Sequence, residues 1–296
     1  MNDQTQQENM RDQYEKYSQY RLVVLRLRRN KGAVIGFIFL CLLVASAIFA
    51  DFLFDYEAEV IAQNISQRLL HPSFQHPLGT DEFGRDLLAR IVHGSRISLL
   101  VASLAIVLAV SFGGTLGAIA GFYGGLVDNV IMRITDVLLS IPMTMFAIVI
   151  VAALGASTRN LVLAIGAASV PIFARIVRGA VLTVRDVEYV EAARAIGAKN
   201  STIIVHHILP NCLAPIIVQV TLRMASAIYN TAALSFLGMG VSPPSPEWGA
   251  LLASGRNYIR NYSYLSVIPG VLIMLTILSL NMLGDGLRDA LDPRLK

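Results

Sequence analysis

The sequence predicts an all-α polytopic membrane protein, and three observations carry that prediction. Hydrophobic residues make up 55% of the 296, and charged residues only 15%, where an ordinary soluble domain carries about 25% charged. Mean hydropathy is correspondingly high, at +0.60. Apolar runs of about 20 residues recur along the chain, the length a helix needs to cross roughly 30 Å of hydrocarbon.

Taken in order, residues 1–31 form a polar N-terminal tail ending in the basic run "RLRRNK". Residues 32–50 are the first transmembrane helix; no A-x-A cleavage site follows, so it stays as an anchor rather than a removed signal peptide. A polar segment, 51–96, precedes five further spans at 97–121, 131–154, 160–177, 213–237 and 265–284, and 286–296 is the C-terminal tail. An even number of spans puts both termini on one side. Most Lys and Arg fall on the same side as the N-terminus, so that side is cytoplasmic and 51–96 is extracytoplasmic. Residues 97–285 then form one five-helix domain whose longest cytoplasmic connection is 184–211.

The spans carry marks of close packing. Gly113, Gly117 and Gly121 recur every fourth residue, a small-residue face that admits a neighbouring helix within the chain. Pro142 and Pro171 should kink the third and fourth spans. Cys41 and Cys212 form no CxxC pair and read as small buried hydrophobes.

The 184–211 connection has the grammar of a hairpin. Asp186 caps a short helix, Glu188 sits in its first turn, and Val184, Val187 and Val190 form an apolar face. Gly197 suits the left-handed position that ends a helix. Ser201 caps a return helix that Pro210 breaks or bends. A slim, half-apolar helix of this length is poorly stable alone. It either docks in a groove of a soluble partner or lies on the membrane surface.

Several chemistries are excluded. The dipeptide Gly-Lys of a phosphate-binding P-loop is absent, as is G-x-S-x-G. The adjacent His206 and His207 point about 100° apart on a helix and share no metal. No basic, aromatic-interleaved face suits nucleic acid. The chain is not itself an enzyme. Intramembrane polar groups are functional candidates; Gln219, Arg223 and Asn230 share one face of the fifth span and mark a translocation path. Arg223 pairing with Asp136 to lock helices is the competing reading. Trp248, beside Pro243, Pro244 and Pro246, reads as a bilayer anchor or a contact for a binding protein. Asp81, Glu82, Asp86, Arg85 and Arg90 read as a solvated surface or a docking face.

"EAARAIGAKNSTIIVHHILPN" resembles the EAA loop of bacterial ABC importer permeases, E-A-A-x-x-x-G followed by L-P, through Glu191, Ala192, Ala193, Gly197, Leu209 and Pro210. "HPLGTDEFGRDLLARIVHGSRISL", "LSFLGMGVSPPSPEWGALL" and the ending "GDGLRDALDPRLK" resemble the C-type permease of the peptide/nickel branch. The resemblance implies a type I ABC importer transmembrane fold in a bacterial plasma membrane, transporting di- or oligopeptides, with nickel, glutathione or antimicrobial peptides as alternatives on the same scaffold. It implies that the loop couples to a cytoplasmic ATPase. The implied partners are a homologous permease in a heterodimer, two ATPases that hold the ATP and Mg, and an extracytoplasmic binding protein; no cofactor is held by this chain. A secondary transporter would show internal repeats, and none is visible; a membrane receptor would not need Gly197 or Pro210.

Overall fold

A computed structural model describes residues 19–291 as helices and connecting turns, with no strand among the described residues. The regular helices of eight or more residues are α1 (Gln19–Arg29), α2 (Lys31–Ile48), α3 (Leu87–Tyr123), α4 (Gly125–Leu139), α5 (Met143–Leu154), α6 (Thr158–Leu182), α7 (Glu188–Ala195), α8 (Leu213–Phe236), α9 (Trp248–Gly255) and α10 (Tyr264–Leu291). Among the described residues five stretches are long and apolar enough to cross a bilayer, and α4 with α5 supplies a sixth that is bent by 85°. The expected third span is therefore a broken one. Its elbow lies at Ser140–Pro142, where proline can neither donate to the helix ladder nor avoid the carbonyl four residues back. Pro171, by contrast, is buried within a continuous α6.

Other limits shift in instructive ways. Residues 19–29 of the expected tail are helical, and Arg26 reaches the Ala290 carbonyl at 3.5 Å; residues 1–18 of that tail lie outside the described residues. At the other end α10 continues to Leu291, so the first part of the expected C-terminal tail is helix, and 292–296 also lie outside them. The second span is 37 residues long, about 55 Å at 1.5 Å per residue, well beyond the hydrocarbon thickness. Its polar first turns pack into the 51–86 segment.

α3 and α6 form the closest pair. A Cβ on Gly113 or Gly117 would press into the Val170 or Ala174 carbonyl, and one on Gly121 into Val181. The four-residue glycine spacing thus brings two backbones together inside the chain, as expected. Around this pair Val101, Ala105, Ile165, Phe173, Ile228 and Trp248 are fully or almost fully buried in one core. Arg96 donates to the Ala47 and Ile48 carbonyls at the end of α2 and pairs with Asp51 at 2.8 Å, satisfying a helix terminus. Cys212 is buried but Cys41 faces outward, because its side of α2 is left uncovered.

Two expectations at the end opposite the hairpin are overturned. Trp248 is completely buried, its indole N–H donating to the Ile91 carbonyl at 3.1 Å. It is neither a bilayer anchor nor an exposed contact. Asp81, Arg85 and Arg90 are buried together, with Arg85 Nε 2.8 Å and Arg90 Nε 3.4 Å from Asp81 Oδ2. Asp86 caps α3 through Ala89 N and meets His76 Nδ1 at 2.8 Å. These charges hold the 51–86 segment against α3 and form no solvated face.

Candidate coupling hairpin and translocation face

The hairpin is rooted on the bundle before it turns. Arg185 donates to the Gly121 carbonyl at 3.0 Å, tying the end of α6 to that of α3, and pairs with Asp186 at 3.0 Å. Asp186 is thereby drawn away from the capping role expected of it. Val187, in extended backbone, precedes α7 without a side-chain cap, and Glu188 and Glu191 occupy the first turn, where the helix dipole favours anions.

One side of α7 is interior. Val190 is fully buried and Ala193 nearly so, packed with Ile203, Ile208 and Cys212 of the return arm and Phe122, Val177 and Val181 of the spans. Val187, expected on the same face, is exposed. Gly197 ends the helix at φ +81°; Gly197 N donates to Arg194 O at 3.0 Å and Ala198 N to Ala193 O at 3.1 Å, the closure a left-handed residue permits. A Cβ at Gly197 would meet nothing within 4 Å, so backbone conformation and not space selects glycine there.

The return arm differs from expectation in its winding. Ser201 lies inside the first turn, Asn200–Thr202, which Lys199 precedes without a side-chain bond. Pro210 does not end the helix: Asn200–Phe236 runs on as one helical stretch. A π-helical turn, Ile203–Ile208, widens before the proline and a 3-10 turn, Leu209–Cys212, carries it. Asn211 donates its side-chain amide to the His207 carbonyl at 2.7 Å. The ring thus meets less crowding than in a regular helix.

The six motif residues consequently divide. Ala193 is interior, Leu209 is half-buried, and Glu191, Ala192, Gly197 and Pro210 are exposed. Glu188, Ala195 and Ile196 extend the exposed side, with Ile196 at 85% the most exposed large apolar residue of the hairpin. Sequence reasoning missed Ile196, although an isoleucine directly before a helix-ending glycine was a usable signal. Arg194 lies over the Phe122 ring, 5.1 Å from its centroid, and braces α7 against α3.

On α8, Gln219 and Arg223 are half-buried and Asn230 is buried. Asn230 donates to the Ser226 carbonyl at 2.7 Å and lies 3.8 Å from Met143 Sδ, which starts α5. The expected alternative of an Arg223–Asp136 pair does not form: Asp136 is held by Arg175 at 2.6 Å. A second pair, Asp128 with Arg178 at 2.5 and 2.6 Å, joins the start of α4 to α6. At the elbow Pro142, Met143, Phe146, Ala168 and Pro171 line an apolar cavity of about 140 Å³. Among the described residues no three His, Cys, Asp or Glu side chains gather as metal ligands.

A helical hairpin braced on a bundle of apolar spans is the setting in which similarity to known proteins becomes informative. Residues 113–296 match the family described as binding-protein-dependent transport system inner membrane component. The chain belongs to that family. Its residues 18–72 also match the N-terminal TM domain of oligopeptide transport permease C, which places this permease in the C-type branch. It is 48% identical to the dipeptide transport system permease protein DppC of Alkalihalophilus pseudofirmus, over 96% of this chain and 93% of the relative. It is 44% identical to the di/tripeptide transport system permease protein DppC of Pseudomonas aeruginosa, over 90% and 89%. With the glutathione transport system permease protein GsiD of Pectobacterium atrosepticum it shares 43%, over 92% and 90%. Among solved structures, the inward-facing MetNI methionine ABC transporter aligns with a TM-score of 0.56 at 18% identity, covering 70% of this permease and 98% of that chain. That likeness gives the type I ABC importer transmembrane fold.

Proposed function

We propose that this permease forms half of the transmembrane path of an ATP-driven importer for di- and oligopeptides in a bacterial plasma membrane, with both termini cytoplasmic. The observation that carries the reading is the divided α7. Its interior side is welded to the spans through Val190 and Ala193, while Glu191, Ala192 and Ile196 are left as an exposed ridge at the tip. A ridge built this way can transmit a push into the bundle.

A homologous permease would complete the path as a heterodimer. Two cytoplasmic ATPases, which bind the ATP and Mg, receive one hairpin from each permease. Nucleotide favours their closed state, and the hairpins carry that preference into the outward-open arrangement of the spans. An extracytoplasmic binding protein then delivers the peptide, and reopening after hydrolysis releases it inside. In this scheme Glu191 makes polar contacts with the ATPase, Gly197 permits the turn, and Leu209 and Pro210 set the exit of the return arm. Gln219, Arg223 and Asn230 lie along the path. The chain itself catalyses nothing.

The peptide assignment is supported by the relatives, whose names read dipeptide, di/tripeptide and glutathione. Uptake of labelled di- to pentapeptides, glutathione and nickel by cells with and without the permease tests it. Peptide uptake should vanish in the deletion and in Glu191→Ala and Gly197→Asp strains whose permease still reaches the membrane. Loss of nickel uptake alone sinks the peptide reading; normal uptake by both variants sinks the coupling role.

A further inference from the structure

Arg223 is the one charged residue of α8 and lies near its middle. A charge at that depth is costly unless it meets water or a counter-charge. Among the described residues it has neither hydrogen bond nor ion pair, and Asp136 is engaged by Arg175 at 2.6 Å. Helical spacing places Gln219 and Asn230 on the face of Arg223. Asn230 is covered by Met143, at the start of α5. Just before Met143 the chain bends by 85° into α4. The half-helix that covers Asn230 therefore does not continue down to the level of Arg223, about two turns nearer the hairpin.

Other charges near the elbow also have open sides. Arg175 and Asp136 are 56% and 55% exposed although both lie on apolar spans. Arg133, also exposed, lies three residues before Asp136 on α4 and has no ion pair among the described residues. Asp128 and Arg178, on the same two helices, neutralise each other at 2.6 Å, which leaves Arg133, Arg175 and Arg223 against Asp136. We infer that the hairpin-side half of the path is electropositive and that Arg223 determines specificity there by receiving a carboxylate of the passing peptide. The inference rests on the peptide-importer reading above. A guanidinium presents a fork that matches a carboxylate in two parallel hydrogen bonds, which an ammonium cannot reproduce. The carboxylate can come from the peptide C-terminus or from an acidic side chain.

The test uses the complete transporter, with both permeases, both ATPases and the binding protein, in liposomes. Initial uptake rates are normalised to peptide-loaded binding protein. The peptides are a neutral tripeptide with free C-terminus, its C-terminal amide, and a Glu/Gln pair differing only in the central side chain. Arg223→Gln should slow the free tripeptide about tenfold, the scale of one charged hydrogen-bonded contact, and leave the amide unchanged. Arg223→Lys should recover only part of the rate. If the Glu/Gln pair alone responds, the side chain is the source and the assignment of Arg223 holds. Equal slowing of all four peptides overturns it in favour of a helix-locking role, and unchanged rates for all four overturn it outright. Failure of the peptide reading is seen separately, as a wild-type transporter that moves none of these peptides.

Discussion

Glu247 and Trp248 sit side by side, and their burial reverses what the proline-rich stretch around them suggests. Glu247 is 1% exposed and caps α9, accepting from Gly249 N and Ala250 N at 3.0 Å each, while the Ser98 hydroxyl donates at 3.0 Å. Burial raises its carboxyl above the ordinary range, against these hydrogen bonds that favour the anion. A raised value means the folded protein holds a proton that the unfolded chain has released. The stabilising contribution is therefore full below the ordinary Glu value of about 4.3 and is lost as pH rises through the window above it. Thermal unfolding of the purified permease should show a Tm that falls across that window. Glu247→Gln should flatten the slope while costing about 1 kcal/mol for a weakened cap; an unchanged slope refutes the assignment. Trp248 was not legible because burial depends on α3: its neighbours in space, Ile91 and Gly94, lie more than 150 residues away in sequence.

At the scale of elements, the α3–α6 pair was readable and the third span was not. The glycine period names the packing face directly, because only a residue without Cβ admits a backbone at that distance. Gly114 supplies the internal control: its Cβ would meet nothing nearer than Val177 Cγ2, at 3.9 Å. Gly117→Ala should destabilise the detergent-solubilised protein by about 1–3 kcal/mol through overpacking. Gly114→Ala should leave the unfolding midpoint nearly unchanged. Equal effects would show that helix propensity, not contact, explains both glycines. Pro142 signalled a kink, but hydropathy runs unbroken across it. Beyond the 85° bend α4 is held to α6 through Asp128–Arg178 and Asp136–Arg175, and those pairings are long-range. The same limit applied at the hairpin, where Gly197 was foreseeable from local backbone chemistry. The diversion of Asp186 to Arg185 and the π turn before Pro210 were not.

For the molecule as a whole, the proposed function requires that a push at the hairpin reach the spans. α7 shares one apolar cluster with the return arm and with the ends of α3 and α6, and the return arm runs without interruption into α8, which carries Arg223. Packed interiors are stiff, so displacement of the ridge should move α8 and the α3–α6 pair together. Adjacent alanines separate the two parts of this device. Ala193 is 5% exposed in the cluster, and Ala192 is exposed on the ridge. Ala193→Asp buries a carboxylate with no partner and should cost several kcal/mol, seen as a lowered unfolding temperature and poor membrane yield. Ala192→Asp changes only the outward surface. It should leave unfolding unaltered yet abolish peptide uptake and ATP-dependent coupling in the reconstituted transporter, because in the proposed scheme it adds a charge where the ATPase seats the ridge. If Ala192→Asp transports normally, this side of α7 is not the docking face. If Ala193→Asp is as stable as wild type, the hairpin is not held by its interior side and cannot act as the rigid link.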